Sequence, residues 1–358
     1  MSPGAGCASC ERLPARLPDV GTLSVMTSLP YTLETIRGVV AESGLSSTVP
    51  FEGVLTITIP EGARSTLLGR LAEVLSPTEC DDTRALLLPA GAALDLRALL
   101  AVERLAVLIQ RCQSDWLIDV LDRRALVTHF QPIVPSEAPD HIFGFEALTR
   151  GIEPDGDLIP PMRMYEAATS ENLRYHLDRA ARLNAIRSAD QFGIVGKVFI
   201  NFLPSAIYTP EYCLRSTFAA MRGRRLRPDQ VVFEVVESER IHDTSNLEGI
   251  LRAYRDEGFG IALDDMGAGY ASLGLLHALR PDYIKIDRSL VQSPYKATIA
   301  ARLLETASEL GLPSIAEGVE TEAEWRWLRD HGATYQQGYL FARPTTPPPP
   351  VNEIPVAS

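Results

Sequence analysis

The chain has 358 residues, 46% hydrophobic and 22% charged, the composition of a folded globular protein of about two domains. Its 34 Lys and Arg against 46 Asp and Glu leave a formal net charge of −12, which argues against a broad face for a nucleic-acid polymer and against adsorption to an anionic membrane. No apolar run reaches the roughly 18–20 residues of a spanning helix, no secretory signal is visible, and five cysteines, an odd number, fit a reducing compartment. The expectation is a cytoplasmic protein without membrane insertion.

Residues 1–20 read as an irregular segment. Residues 21–92 alternate between extended and helical patterns: TLSV, a helix over Tyr31–Ala41, the strand VLTITI at 54–59, a helix over Ala63–Leu75 and LLL at 86–88. They predict a small α/β module, placed where a regulatory or sensory unit is expected, with an unknown signal or protein partner. Helically spaced apolar residues, Leu99, Val102, Leu105, Leu108 and Leu117 among them, predict a connecting helix over 93–122. The Pro-rich stretch 345–358 predicts an extended, exposed, disordered tail.

Between 123 and 344 short β-rich runs alternate with helical stretches: 127–134, 142–150, 197–203, 231–237, 260–265, 283–287, 313–319 and 334–341. Eight such runs predict a (β/α)8 barrel preceded by the small α/β module. An open doubly wound sheet competes, but no glycine-rich phosphate turn follows the first strand. Only PSEAPDH separates the first two runs, too short for a crossover helix, so they predict a hairpin and one antiparallel barrel strand.

Polar residues stand at or near the C-terminal ends of these runs: Glu146, Asn201, Glu234, Asp264 with Asp265, Lys285, Glu317 and Gln337. In a barrel those ends share the face that holds the active site. Taken singly, each has an ordinary explanation: Glu234 facing solvent, DDMGAG as a turn, Lys285 on the surface. Seven strands bearing such groups at the same end are hard to ascribe to solvation. Five carboxylates converging on one pocket need positive charge, and all-oxygen donors suit Mg²⁺ or Mn²⁺ better than zinc. The adjacent Asp264 and Asp265 could serve two neighbouring ions, as in two-metal phosphoesterases.

The series FQPIV…GFEALTR, FIN, FEVVES, DDMGAG, YIKID, AEGVE and QGYLFARP, in this order across about 125–344, resembles the EAL-domain cyclic di-GMP phosphodiesterases. The resemblance implies a TIM-like (β/α)8 barrel with one antiparallel strand, homodimerisation through the barrel, and two-metal hydrolysis of cyclic di-GMP to linear pGpG. It also implies site roles. Glu146, Asn201, Glu234 and Asp264 hold one metal, and Asp264, Asp265 and Glu317 serve the second or its water. Lys285 polarises that water, Glu317 is the candidate general base, and Glu320 and Gln337 orient the surrounding shell. Gln131, Leu148 and Arg150 bind substrate, and Glu237 anchors the loop after the paired aspartates. The alternative within the resemblance is a barrel that binds cyclic di-GMP and signals without hydrolysing it; such members typically lose metal ligands or the lysine, which this chain keeps.

Three positions depart from the family pattern. Ala271 stands where a serine is usual, removing one hydrogen bond of roughly 0.5–1.5 kcal/mol from the loop anchor. Met266 replaces a Phe, a tolerable apolar exchange, and Gly151 replaces an aromatic, which predicts weaker packing after the EALTR stretch. Cys7-x-x-Cys10 is either half of a zinc site completed by Cys80 or Cys112, or a solvated tail with incidental thiols; without a second close pair the latter is favoured.

Overall fold

The computed structural model describes residues 12–352 apart from 93, 169, 208–209, 237–243, 268–275, 277–278 and 292–296. Glu237, Ala271, Cys7 and Cys10 lie outside the described residues. The chain forms two compact units, one made mainly of Pro14–Asp119 and one beginning at Val120. No helix among the described residues is long and apolar enough to cross a membrane.

The first unit is built on an antiparallel sheet of β1 (Gly21–Met26), β2 (Ser47–Phe51), β3 (Val54–Ile59), β4 (Arg84–Pro89) and β5 (Glu103–Arg104), ordered β2-β3-β1-β4-β5. Strict alternation in β1 buries Leu23 and Val25 on the face packed by helices Pro30–Glu42 and Ala63–Val74, through Ile36, Val40, Leu67 and Leu71. Strand β2 gives no apolar signal in the sequence because all five of its residues are exposed at the sheet edge.

The connecting helix is shorter than its periodicity predicts: it spans Leu105–Asp122, not 93–122. Leu94, Leu96, Leu99 and Leu100 stay exposed, so their spacing marks no buried face. Glu103 and Arg104 instead pair with Ala85 and Arg84, and the Leu105 amide donates to the Thr83 carbonyl at 2.8 Å.

The second unit is the barrel. Its strands are β6 (Leu126–Pro135), β7 (Gly144–Ile152), β9 (Lys197–Phe202), β10 (Val231–Val236), β11 (Gly260–Met266), β12 (Tyr283–Ile286), β13 (Ser314–Ala316) and β14 (Tyr335–Gln337), with the two-residue β8 (Leu158–Ile159) added beside β7. Pairing of β6 with both β14 and β7 closes the ring, and both pairings are antiparallel while the others around the ring are parallel. The TIM-like barrel and its one reversed strand are thus as expected.

Ile133, Phe199, Val232, Ala262 and Ile315, with Phe143, Tyr283 and Tyr335, fill the lower barrel interior. Side chains alternate with period two, so the next inward position on each strand is Gln131, Asn201, Glu234, Asp264, Glu317, Lys285 and Gln337. An apolar plug therefore floors a polar layer.

Two sequence expectations need correction here. Residues 345–352 are not a disordered tail: Thr345 exchanges two backbone hydrogen bonds with Phe130, and the Asn352 amide donates to the Phe341 carbonyl at 2.7 Å; 353–358 lie outside the described residues. Gly151 does not leave a packing gap either. A Cβ there would meet Ile159 Cδ1 and Met164 Sδ at 3.0 Å, so these two buried side chains already fill the space.

Candidate active site

Lys285 is the centre of the polar layer. Its Nζ lies 2.5 Å from Glu317, 2.8 Å from Glu234, 3.3 Å from Asp264 and 3.6 Å from Glu146. One ammonium thus faces four carboxylates, an imbalance that is costly in a buried setting. Burial opposes the lysine's charge, but Asp264, Glu146, Glu234 and Glu317 outweigh it and hold its pKa well above the usual value. Burial pushes Glu234 and Glu317 well above the ordinary carboxylate range and raises Asp264, against the pull of Lys285.

Around this centre the amides fix Glu146. Asn201 Nδ2 donates to Glu146 Oε1 at 3.0 Å, and Gln337 Nε2 donates to Glu146 Oε2 at 2.6 Å and to Gln131 Oε1 at 3.0 Å. Gln131 donates in turn to the Ala342 carbonyl at 3.2 Å. These contacts follow from register, since Gln131 pairs with Glu146 across β6–β7 and Asn201 with Glu234 across β9–β10.

Neighbouring residues of a strand normally face opposite ways, yet Asp264 and Asp265 both reach the cluster. The register between β11 and β12 shifts between Leu263 and Met266, and Asp265 takes a left-handed φ of 58°. This irregularity turns the second carboxylate back to the site. Oxygens of Asp264, Asp265 and Glu317 come within 4.8 Å of one another. Burial, then the Asp264 charge, pushes Asp265 up to about 6.

The loops after β13 and β14 are tied together. The Val319 amide donates to the Gln337 carbonyl and the Leu340 amide to the Val319 carbonyl, both at 3.0 Å. Gly338 permits this approach: a Cβ there would sit 2.0 Å from the Val319 carbonyl oxygen.

The residues fit hard divalent cations. Every donor is a carboxylate or amide oxygen, and Glu234 Oε2 and Gln337 Oε1 are buried with no hydrogen-bond partner among the described residues. Among the described residues no cysteine joins a cluster able to hold a metal, and burial raises the thiol pKa of Cys80 and Cys112.

Glu146, Leu148 and Arg150 share one face of β7. Arg150 is half-buried, which lowers its pKa, while Glu146 and Tyr339 favour its charge. Glu320 is not brought to the cluster. Its side chain is exposed, and its backbone amide donates to Glu324 Oε2 at 2.8 Å at the start of helix Glu322–Asp330. The sequence reading passed over Tyr339 and Arg343, although both lie in QGYLFARP. The Arg343 guanidinium sits 4.3 Å from the Tyr339 ring centroid, Tyr339 is 45% exposed, and it favours the charge of Arg150.

Such a layer of acids, amides and one lysine stands at the strand-end face where barrels of this class carry their active sites, and its oxygens suit divalent cations. Residues 114–344 match the EAL domain, and the chain belongs to that family. It is 33% identical over 267 residues to the probable cyclic di-GMP phosphodiesterase PdeB of Escherichia coli K12, covering 72% of this chain and 49% of that protein. The chain thus spans about half the length of the curated relatives first matched. A standalone EAL protein from Vibrio cholerae O395, in its c-di-GMP-bound form, shares 35% identity and a TM-score of 0.57 over 63% of this chain and 95% of its own. The manganese/cyclic di-GMP complex of Klebsiella pneumoniae BlrP1 shares 26% identity and a TM-score of 0.56 over 91% of this chain and 96% of its own, and a calcium complex of the same protein also matches.

Proposed function

We propose that this protein is a cyclic di-GMP phosphodiesterase that opens the ring to linear pGpG with two divalent cations, Mg²⁺ or Mn²⁺. The single observation that carries this reading is the convergence of Glu146, Glu234, Asp264 and Glu317 on Lys285 at one rim of the barrel. Glu146, Asn201, Glu234 and Asp264 would hold one ion, and Asp264, Asp265 and Glu317 the other. Bound there, the ions supply charge that screens the anionic phosphodiester and lowers the pKa of the attacking water.

The chain's own groups complete the reaction. Glu317, acting in its ionised form and made more basic by burial, would take a proton from water as the water oxygen bonds to phosphorus. The P–O bond to one ribose oxygen breaks as the new P–O bond forms, and that oxygen, still part of the opened chain, takes a proton from solvent and leaves as a hydroxyl. Lys285 keeps a positive charge where the phosphoryl oxygens gain negative charge. Arg150 gives a charge-assisted contact to phosphate, Leu148 an apolar one to the nucleoside, and Gln131 and Gln337 keep Glu146 oriented. Homodimerisation, control by the first unit and a cytoplasmic location belong to the same reading.

The test is turnover by the purified full chain with Mg²⁺ or Mn²⁺ and cyclic di-GMP, followed by chromatography. Metal-dependent appearance of pGpG is expected. Tight binding without product would replace the enzyme by a cyclic di-GMP receptor.

A further inference from the structure

On the outer wall of the barrel, helices Glu171–Gln191 and Arg215–Met221 and the segment 121–126 enclose a cleft of about 720 Å³. It shares no lining residue with the polar layer at the strand ends. Arg124, Arg179, Arg187 and Arg224 line it, and Asp122 is the one acid among its lining residues. This is a concentration of positive charge on a chain of net charge −12.

The guanidiniums are arranged, not merely near. Arg179 Nε donates to Ser216 Oγ at 2.9 Å, Arg187 Nε to the Leu183 carbonyl at 3.0 Å and Arg224 Nε to the Ala220 carbonyl at 2.5 Å. Each Nε is spent on the wall, and the terminal amino groups of Arg179 and Arg187 have no protein acceptor among the described residues. Partial burial lowers the Arg187 pKa, and Arg124, Arg224 and Arg179 lower it further; of these neighbours Arg224 is paired outside the cleft, with Asp190 Oδ2 at 3.3 Å. Arg124 holds a left-handed φ of 54° at the end of helix Leu105–Asp122, where glycine is the low-strain choice.

We propose that this cleft binds a small polyanion bearing two or more phosphate groups. Forked guanidiniums match phosphate oxygens two at a time. No Phe, Tyr or Trp lines the cleft, so the phosphates are read and an attached base is not. The concave shape and the acidic remainder of the chain favour a small anion over a nucleic-acid strand.

The test is calorimetric titration of the full chain, in EDTA at fixed ionic strength, with inorganic pyrophosphate and separately with GTP. Saturable binding of both at similar affinity is expected. The Arg124→Ala/Arg187→Ala variant should bind about tenfold or more weakly while keeping its circular dichroism, since both side chains are exposed. Arg150→Ala should bind as the unsubstituted chain does. Absence of saturable binding, unchanged affinity in the double variant, or loss of binding in Arg150→Ala would each overturn the proposal; the last would place the anion in the active site.

Discussion

In the proposed enzyme Lys285 would do two things at once: its one ammonium offsets part of the charge of the four acids around it, and it would supply charge to the reaction. Lys285→Ala therefore should abolish turnover and also destabilise the metal-free protein, by about 3–5 kcal/mol if the acids stay ionised. Thermal unfolding and the pGpG assay measure both, and a Tm unchanged without metal would contradict the central position given to the ammonium. Asp265 gives the pH dependence. With its folded pKa near 6 against 3.8 unfolded, the native state binds more protons between those values. The sign follows: without metal, stability falls as pH rises through that window. Metal binding needs the ionised form, so the stabilisation by Mn²⁺ should grow from about pH 5 to 7. Thermal shifts with and without Mn²⁺ over that range check it, and a shift that shrinks with pH would contradict it. At this scale the sequence was legible because the polar residues interrupt apolar strands at a fixed step beyond an apolar inward residue. Glu320 misled because AEGVE places it beside Glu317 in sequence, whereas the chain turns into the cap of helix Glu322–Asp330 and leaves its side chain outside.

Among elements, the join between helix Glu171–Gln191 and β9 matters most for the site. Asp178 is fully buried, accepts from the Leu203 amide at 2.9 Å and from Arg182 Nε at 2.9 Å, while Arg182 also donates to Thr217 Oγ1 at 2.5 Å. Asp178 thus holds the chain two residues beyond Asn201. Asp178→Ala leaves Arg182 buried without its counter-ion and should cost about 3–5 kcal/mol. Denaturant unfolding reads that loss, and a change below about 1 kcal/mol would show that the pair does not organise this join. Gly151→Phe, the family-like reversion, should destabilise by about 1–3 kcal/mol because Ile159 and Met164 already occupy the space; a stabilised variant would contradict that packing. The barrel strands were legible as short apolar runs. The edge strand β2 and the start of the connecting helix were not, because exposed residues carry no periodic signal and Leu94–Leu100 mimic one without burying it.

For the whole molecule, a small α/β unit precedes a barrel whose upper rim gathers acids, amides and one lysine, and the structure of BlrP1 matches across 91% of the chain. Nothing in the first unit's sequence names its signal, since its apolar pattern is spent on its own core. Comparing turnover of the full chain with residues 120–358 tests the regulatory reading: a changed rate supports it and gives its sign, and equal rates would remove it. The central claim is that separate strand ends cage two hard ions. The most direct measurement is an anomalous difference map from crystals grown with Mn²⁺ and cyclic di-GMP. Two peaks are predicted, one among Glu146, Asn201, Glu234 and Asp264 and one among Asp264, Asp265 and Glu317; no peak at this rim, or a manganese held elsewhere, would contradict the account.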